Sequence, residues 1–270
     1  PSSMSETATM VDVYNSSSWE RTDLVTIPAN VNTRGDVVKD KEGSIIPSQR
    51  LSTGELVFVA DQVAPHSASS FFFEQKPEKR KKGDETDEMF YPYSHIDLKL
   101  DEATGSITSL IFNKLHHELV SSDGKGLNEF LYVEGRNPET AKGVDQVKIS
   151  LLEDGPVLKT IRIESLAPGC ESLVREIRLY KKLDRIEIMN IVDKKEILEP
   201  EGVHFAFPFN VPGGKVRIGN AWSHYQAESG QMPGSNKNFF SVNRWADVSN
   251  DTCGVTFVTL DAPLLEIGDI

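Results

Sequence analysis

REIRLYKKLDRIEIMNIV, residues 175–192, can be read as a helix or as a β-hairpin, and the choice decides the fold. Its Arg, Lys, Leu and Glu residues are good helix formers. Its apolar positions nevertheless recur at every second residue, Ile177 and Leu179 before a polar stretch, Ile186 and Ile188 after it. Two-residue spacing puts one face of a strand in a core, and the density of β-branched side chains favours the extended backbone. The stretch therefore predicts two strands joined by a turn.

The same device recurs upstream. In DQVKISLLEDGPVLKTIRIES (145–165), Val147, Ile149 and Leu151 precede the turn residues EDGP, and Val157, Ile161 and Ile163 follow them. In HIDLKLDEATGSITSLIFNK (95–114), Ile96, Leu98 and Leu100 alternate with polar residues up to EATG, and residues 107–112 resume as a second strand. No other segment sustains the i, i+3, i+4 pattern over a helix length. The fold class predicted is all-β with antiparallel strands.

Nearer the start, DLVTIP, DVVKD, IPSQRL, GELVFVA and ASSFFFEQ read as short strands between turn residues, enough for a small β-sandwich. EQKPEKRKKGDETDE (74–88) then offers no apolar residue and dense charge of both signs, which reads as a linker or exposed loop. A localisation signal in KRKK is the lesser reading, because acidic residues follow at once. These observations predict a small sandwich over residues 1–88, the charged linker at its end, and a larger domain of two packed sheets over 89–270.

The 38% apolar content is that of a globular chain, and no apolar run approaches the roughly eighteen residues that span a bilayer, so no membrane partner is expected. A formal charge of −12 argues against nucleic acid, whose phosphates are bound by clustered Lys and Arg, and leaves neutral ligands open. Cys170 and Cys253 supply neither a disulfide framework nor a cysteine-rich zinc site, and both are expected as thiols. The opening PSSMSETATM has no signal-peptide pattern and LLEIGDI ends in a strand-like run, which suggests a piece of a longer polypeptide. Asn15 in NSS and Asn250 in NDT fit the glycosylation pattern without a visible secretory context.

Phosphate-cradling glycine loops, a Gly-x-Ser-x-Gly elbow and His-Glu-x-x-His are all missing from the sequence. His116 and His117 are adjacent, so on a strand they face opposite ways and read as turn or surface residues. In EGVHFAFPFNVPGG, Val203, Phe205, Phe207 and Phe209 line one face as core, while His204 alternates with Ala206 and Pro208 on the other. An imidazole on a concave face beside a carboxylate could serve as general acid or base to a sugar oxygen, but the sequence identifies no such carboxylate. The richest stock of sugar-binding side chains lies downstream: Trp222, His224, Tyr225, Gln226, Gln231, Asn236, Asn238 and Trp245. Aromatic faces cover the C–H surface of a pyranose and amides meet its hydroxyls, although aromatic strand packing uses the same residues.

VYNSSSWERTDLVTIP, with its Asn–x–x–x–Trp–x–Arg pattern, resembles the opening of the β-rich C-terminal region of glycoside hydrolase family 38 α-mannosidases. DEATGSITSLIFNK, GKGLNEFLYVEG, DGPVLKTIRIES, GVHFAFPFNVPGG and FSVNRWADVSNDTCGVTFVTLDAP resemble that region's large sandwich in the same order, so the likeness runs from Val11 to the end. It implies a small β-sandwich followed by a large galactose-mutarotase-like supersandwich. It further implies a separate N-terminal α/β barrel that holds a zinc ion and the aspartate nucleophile of a retaining mechanism. Neither the barrel's zinc-ligand motif nor its nucleophile segment has a counterpart here, so no catalytic or metal-binding residue is assigned.

The resemblance thus implies the non-catalytic C-terminal part of an enzyme that hydrolyses α-mannosidic bonds in glycans or oligosaccharides, inactive alone. Its expected partners are the catalytic domain of the same polypeptide and a mannose-containing glycan, with zinc in that other domain. Candidate contributors to the substrate-pocket rim are Tyr132, Trp222, His224, Tyr225, Gln226, Gln231 and Asn238. Two alternatives stay open: a mutarotase-type sugar epimerase using His204, and a stand-alone carbohydrate-binding module.

Overall fold

Continuous apolar runs bounded by turn residues become strands buried on both faces, and alternating ones become strands with one wet face. The computed structural model describes residues 8–31, 33–75 and 90–268, and among them it is all-β and antiparallel. The expected linker at 74–88 and the expected boundary near Met89 lie almost wholly outside the described residues.

The first seven strands in the chain make two sheets. One has the order β1 (Met10–Asn15), β7 (Ser67–Glu74), β3 (Val37–Lys39), β4 (Ile45–Ile46). The other has the order β2 (Arg21–Ile27), β6 (Leu56–Val63), β5 (Ser48–Arg50). They bury Ile27, Leu56, Phe58 and Val63 against Val38, Phe71 and Phe73. Strand β1 was not singled out in the sequence. The unbroken run in GELVFVA has its cause here, because alternate residues of β6 point the other way: Val57 and Val59, joined by Leu51 just after β5, pack on Val157, Leu158, Tyr180 and Leu183.

The hairpins read from the sequence form as expected. Strands β9 (Ile96–Leu100) and β10 (Ile107–Phe112) pair, flanked by β8 (Phe90–Tyr93) and β11 (His117–Glu118). Strands β13 (Asp145–Asp154), β14 (Leu158–Leu166), β15 (Cys170–Tyr180) and β16 (Ile186–Lys194) make a meander, so residues 175–192 are strand, turn and strand. These two sheets enclose the largest core, Ile96, Leu98, Leu100, Ile107 and Leu110 against Ile161, Ile163, Ile177 and Leu179.

Arg175 is fully buried beside this core, donating from Nη1 to the Asn128 carbonyl (3.1 Å) and from Nη2 to the Thr104 carbonyl (2.6 Å). The charge thus ties the β9–β10 turn and the backbone at Asn128 to β15. Burial presses its pKa down to about 10.

The remaining strands carry the candidate residues. Strand β12 (Glu129–Glu134) pairs with β17 (Glu201–Ala206), about seventy residues distant in sequence, and a single turn of 3-10 helix at Pro138–Thr140 follows β12. A four-stranded sheet has the order β19 (Ser223–Gln226), β18 (Lys215–Asn220), β21 (Trp245–Ser249), β22 (Gly254–Val258). Short strands β20 (Phe239–Ser241) and β23 (Leu264–Glu266) pair beside it.

Candidate functional site

Alternation sorts the aromatic and amide residues between two faces of the β19–β18–β21–β22 sheet. Ile218, Ala246, Tyr225 and Phe257 occupy the inner face; Tyr225 packs on Phe240 with ring centroids 6.5 Å apart, and Phe257 on Phe207 at 4.4 Å. The opposite face carries His224, Gly219, Trp245 and Val258 in register across the four strands. Gln226, Arg217, Asp247 and Thr256 form the next row. Gly219 is required: a Cβ there would stand 2.7 Å from Trp245 Nε1, so only a glycine lets the indole lie across strand β18. The His224 ring flanks that indole at 6.1 Å.

The β18–β19 turn holds Trp222 fully exposed, at φ 60°, a left-handed conformation that side chains with a Cβ rarely adopt. After β19 the chain folds on itself. Gln231 Oε1 accepts from Glu228 N (2.9 Å) and its Nε2 donates to the Asn236 carbonyl (2.8 Å). Asn236 Oδ1 accepts from the N–H groups of Asn238 (2.7 Å) and Phe239 (3.1 Å). Gln231 and Asn236 therefore shape the loop, whereas the exposed Asn238 presents its amide to solvent.

Tyr132 stands elsewhere. It is buried in β12 among Phe130, Ala167, Cys170 and Leu173, against Gly169, where a Cβ would meet its ring at 2.3 Å. Its hydroxyl donates to Glu201 Oε2 (2.7 Å), and Lys194 Nζ lies 2.6 Å from Glu201 Oε1. The hydrogen bond to that carboxylate, with burial, pushes the phenol up to about 12, and Lys194 with Tyr132 holds Glu201 below the usual carboxylate range. Among the described residues, no hydrogen bond, ion pair or ring contact joins Tyr132 to the segment 222–240.

His204 has the carboxylate that the sequence did not reveal. Its Nδ1 lies 3.3 Å from Glu266 Oε2, across from β17 to β23, and both side chains are half-buried. The ring rests over Gly202, whose added Cβ would stand 2.6 Å from Nε2. Phe205 joins the Tyr132 cluster and Phe207 and Phe209 the large core, as their alternation predicted. His117 Nε2 is 2.8 Å from the Asn210 carbonyl, and His116 sits in a turn at φ 49°. Cys170 and Cys253 are thiols; burial raises the pKa of the first.

Both glycosylation-pattern asparagines have structural roles. Asn15 is buried, donates to the carbonyls of Trp19 (2.7 Å), Val63 (2.9 Å) and Ala64 (3.2 Å), and accepts from Ser17 N (3.0 Å). This network accounts for Asn15; it reaches only the backbone carbonyl of Trp19, whose indole is exposed. Asn250 caps the β21–β22 turn, accepting from Thr252 N (2.7 Å) and Cys253 N (2.8 Å).

Compared with protein-family models, residues 93–262 match the glycosyl hydrolases family 38 C-terminal domain. Among solved structures the chain is similar to an alpha-mannosidase from Enterococcus faecalis V583, with TM-score 0.65 and 12% identity, over 92% of this chain and 37% of that one. It is also similar to a protein in glycosyl hydrolase family 38 from Enterococcus faecalis, with TM-score 0.62 and 13% identity, over 92% of this chain and 38% of that one. At such identities the likeness is one of fold, and the chain spans less than two-fifths of either structure. A comparison with curated protein sequences found no match.

Proposed function

The chain belongs to the glycosyl hydrolases family 38 C-terminal domain family, and from that membership we propose that it is the non-catalytic β-rich part of an α-mannosidase. In this reading it supports a separate catalytic domain of the same polypeptide and lends side chains to the rim of that domain's pocket. The substrate is a mannose-containing glycan or oligosaccharide, and the α-mannosidic bond is broken by groups outside this chain.

The observation that carries the rim role is Trp222, fully exposed on a turn that holds it at φ 60°. A left-handed tryptophan costs roughly 1–2 kcal/mol, a strain expected where a large apolar ring is held out for a partner. His224 and Asn238 are exposed nearby in sequence, and Gln231 stiffens the loop between them. Tyr132 and Tyr225 are built into the packing, so their contribution is to hold strands in place.

The zinc implied by family resemblance belongs to the catalytic domain in this reading. Among the described residues no group of three or more His, Cys, Asp and Glu side chains could hold a metal ion, and the carboxylates of Glu118 and Glu201 are committed to internal hydrogen bonds. No step of hydrolysis is routed through residues of this chain.

The test uses the full-length polypeptide and a mannobiose substrate. Trp222→Ala and Asn238→Ala should raise KM several-fold with kcat nearly unchanged, the pattern of lost ground-state binding. Unchanged KM in both variants rejects the rim role. The 270-residue chain alone should not turn over an aryl α-mannoside, and turnover at the full-length rate rejects the non-catalytic reading.

The Glu266 contact gives the epimerase alternative its one support. An acid and a base for anomer exchange must reach different oxygens of one sugar. His204 and Glu266 instead face each other 3.3 Å apart across β17 and β23, which leaves no room for a sugar ring between them. Polarimetry of α-mannose anomerisation checks this: His204→Ala should leave the rate at that of the wild-type chain.

A further inference from the structure

We propose that the outer face of the β19–β18–β21–β22 sheet is a saccharide-binding platform, distinct from the Trp222 turn. On it the Trp245 indole covers the C–H face of a pyranose, and Arg217, Gln226 and Asp247 bind neighbouring hydroxyls. The proposal shares the glycan-directed chemistry of the reading above and does not depend on contact with a catalytic domain.

The geometry begins with Gly219. Because no side chain stands at that position, the half-buried indole of Trp245 can lie over the backbone of β18. A ring lying along a sheet, with His224 beside it at 6.1 Å, is the shape on which a sugar's flat apolar face rests. The adjacent row lies two residues along the strands, about 7 Å away, a displacement on the scale of one pyranose ring.

That row supplies what hydroxyls need. Arg217 Nη1 donates to Ser249 Oγ (2.8 Å) and lies 3.4 Å from Asp247 Oδ1, which accepts from Ser249 Oγ (2.6 Å). Thr256 Oγ1 donates to Asp247 Oδ2 at 3.3 Å. These contacts hold the guanidinium and carboxylate side by side on a half-exposed surface. Arg217 Nε and Nη2, and the side-chain amide of Gln226, hydrogen-bond to no protein group among the described residues. A fixed guanidinium fork, a carboxylate and an amide next to an aromatic surface offer donors and acceptors to two adjacent hydroxyls. The ligand this favours is a neutral pyranoside with a free vicinal diol.

Nuclear magnetic resonance of the 15N-labelled 270-residue chain tests it. Three tryptophans give three indole N–H signals, assigned with Trp19→Phe, Trp222→Phe and Trp245→Phe. Methyl α-mannopyranoside and methyl α-glucopyranoside are titrated separately into the millimolar range. Saturable movement of the Trp245 signal by either sugar, with the Trp222 signal still, is expected. Gln226→Ala and Arg217→Ala, each confirmed as folded by its unfolding midpoint, should each weaken that binding about tenfold. A Trp245 signal that neither sugar moves overturns the platform and identifies the indole as packing on a strand glycine; so does binding that Arg217→Ala and Gln226→Ala leave intact. The rim role is read separately, from KM of the full-length polypeptide, so each can fail alone.

Discussion

Replacing Gln49 by methionine isolates one contact between the first strands and the later sheets. Gln49, in β5, is 8% exposed, and its Oε1 accepts from Leu158 N (3.0 Å) and Val157 N (3.3 Å) at the start of β14. It fits there because residue 155 is glycine: an added Cβ would stand 2.2 Å from Gln49 Cδ. Methionine keeps nearly the same volume and removes the acceptor. Two N–H groups then stay buried beside Leu51, Tyr180 and Leu183 without a partner. Each such group costs about 1–3 kcal/mol, so the direct sum is roughly 2–6 kcal/mol. Relaxation of the β13–β14 turn recovers part of this, and about 3 kcal/mol is expected. In urea the midpoint should fall with an unchanged m-value, and the thermal midpoint should drop by roughly 6–12 °C for a chain of this size. A Gln49→Met variant within about 0.5 kcal/mol of wild type refutes the reasoning, because the volume is preserved and only the acceptor is lost.

Other residues give sharper single readouts. Asn15→Asp turns a donor toward three carbonyl oxygens into an acceptor, and urea unfolding should show a loss of roughly 2–4 kcal/mol; an unchanged midpoint refutes the network around the Trp19 turn. Arg175→Met removes a buried cation whose folded-state pKa is about 10, below its ordinary 12.5. The unfolded chain therefore binds the extra proton above pH 10, so wild-type stability should rise relative to the variant from about pH 10 upward, and a flat difference from pH 8.5 to 11 contradicts it.

Much of this was readable beforehand because strands carry their orientation in residues two apart. The hairpins at 95–114, 145–165 and 175–192 needed only alternation and turn residues. The phenylalanines after His204 were recognisable as core for the same reason. Local spacing even contained the outer face later found on the sheet: Lys215, Arg217 and Gly219 alternate, as do Trp245, Asp247 and Ser249. What it lacked was the pairing that sets Gly219 beside Trp245. The predicted rim set divided for a related reason. Neighbours such as His224 and Tyr225 must leave a strand on opposite faces, so one meets solvent and the other Phe240.

The amino-acid order by itself determined an antiparallel all-β chain, its main hairpins and the family it resembles, since these depend on contacts among residues near one another or on matched local stretches. Only the tertiary structure decided that Glu266 faces His204, that Gln49 caps β14, and that Trp245 lies over Gly219 beside Arg217. Those partners come from strands whose register is set by the burial of whole faces, and that energy is shared over many side chains rather than written at any one position.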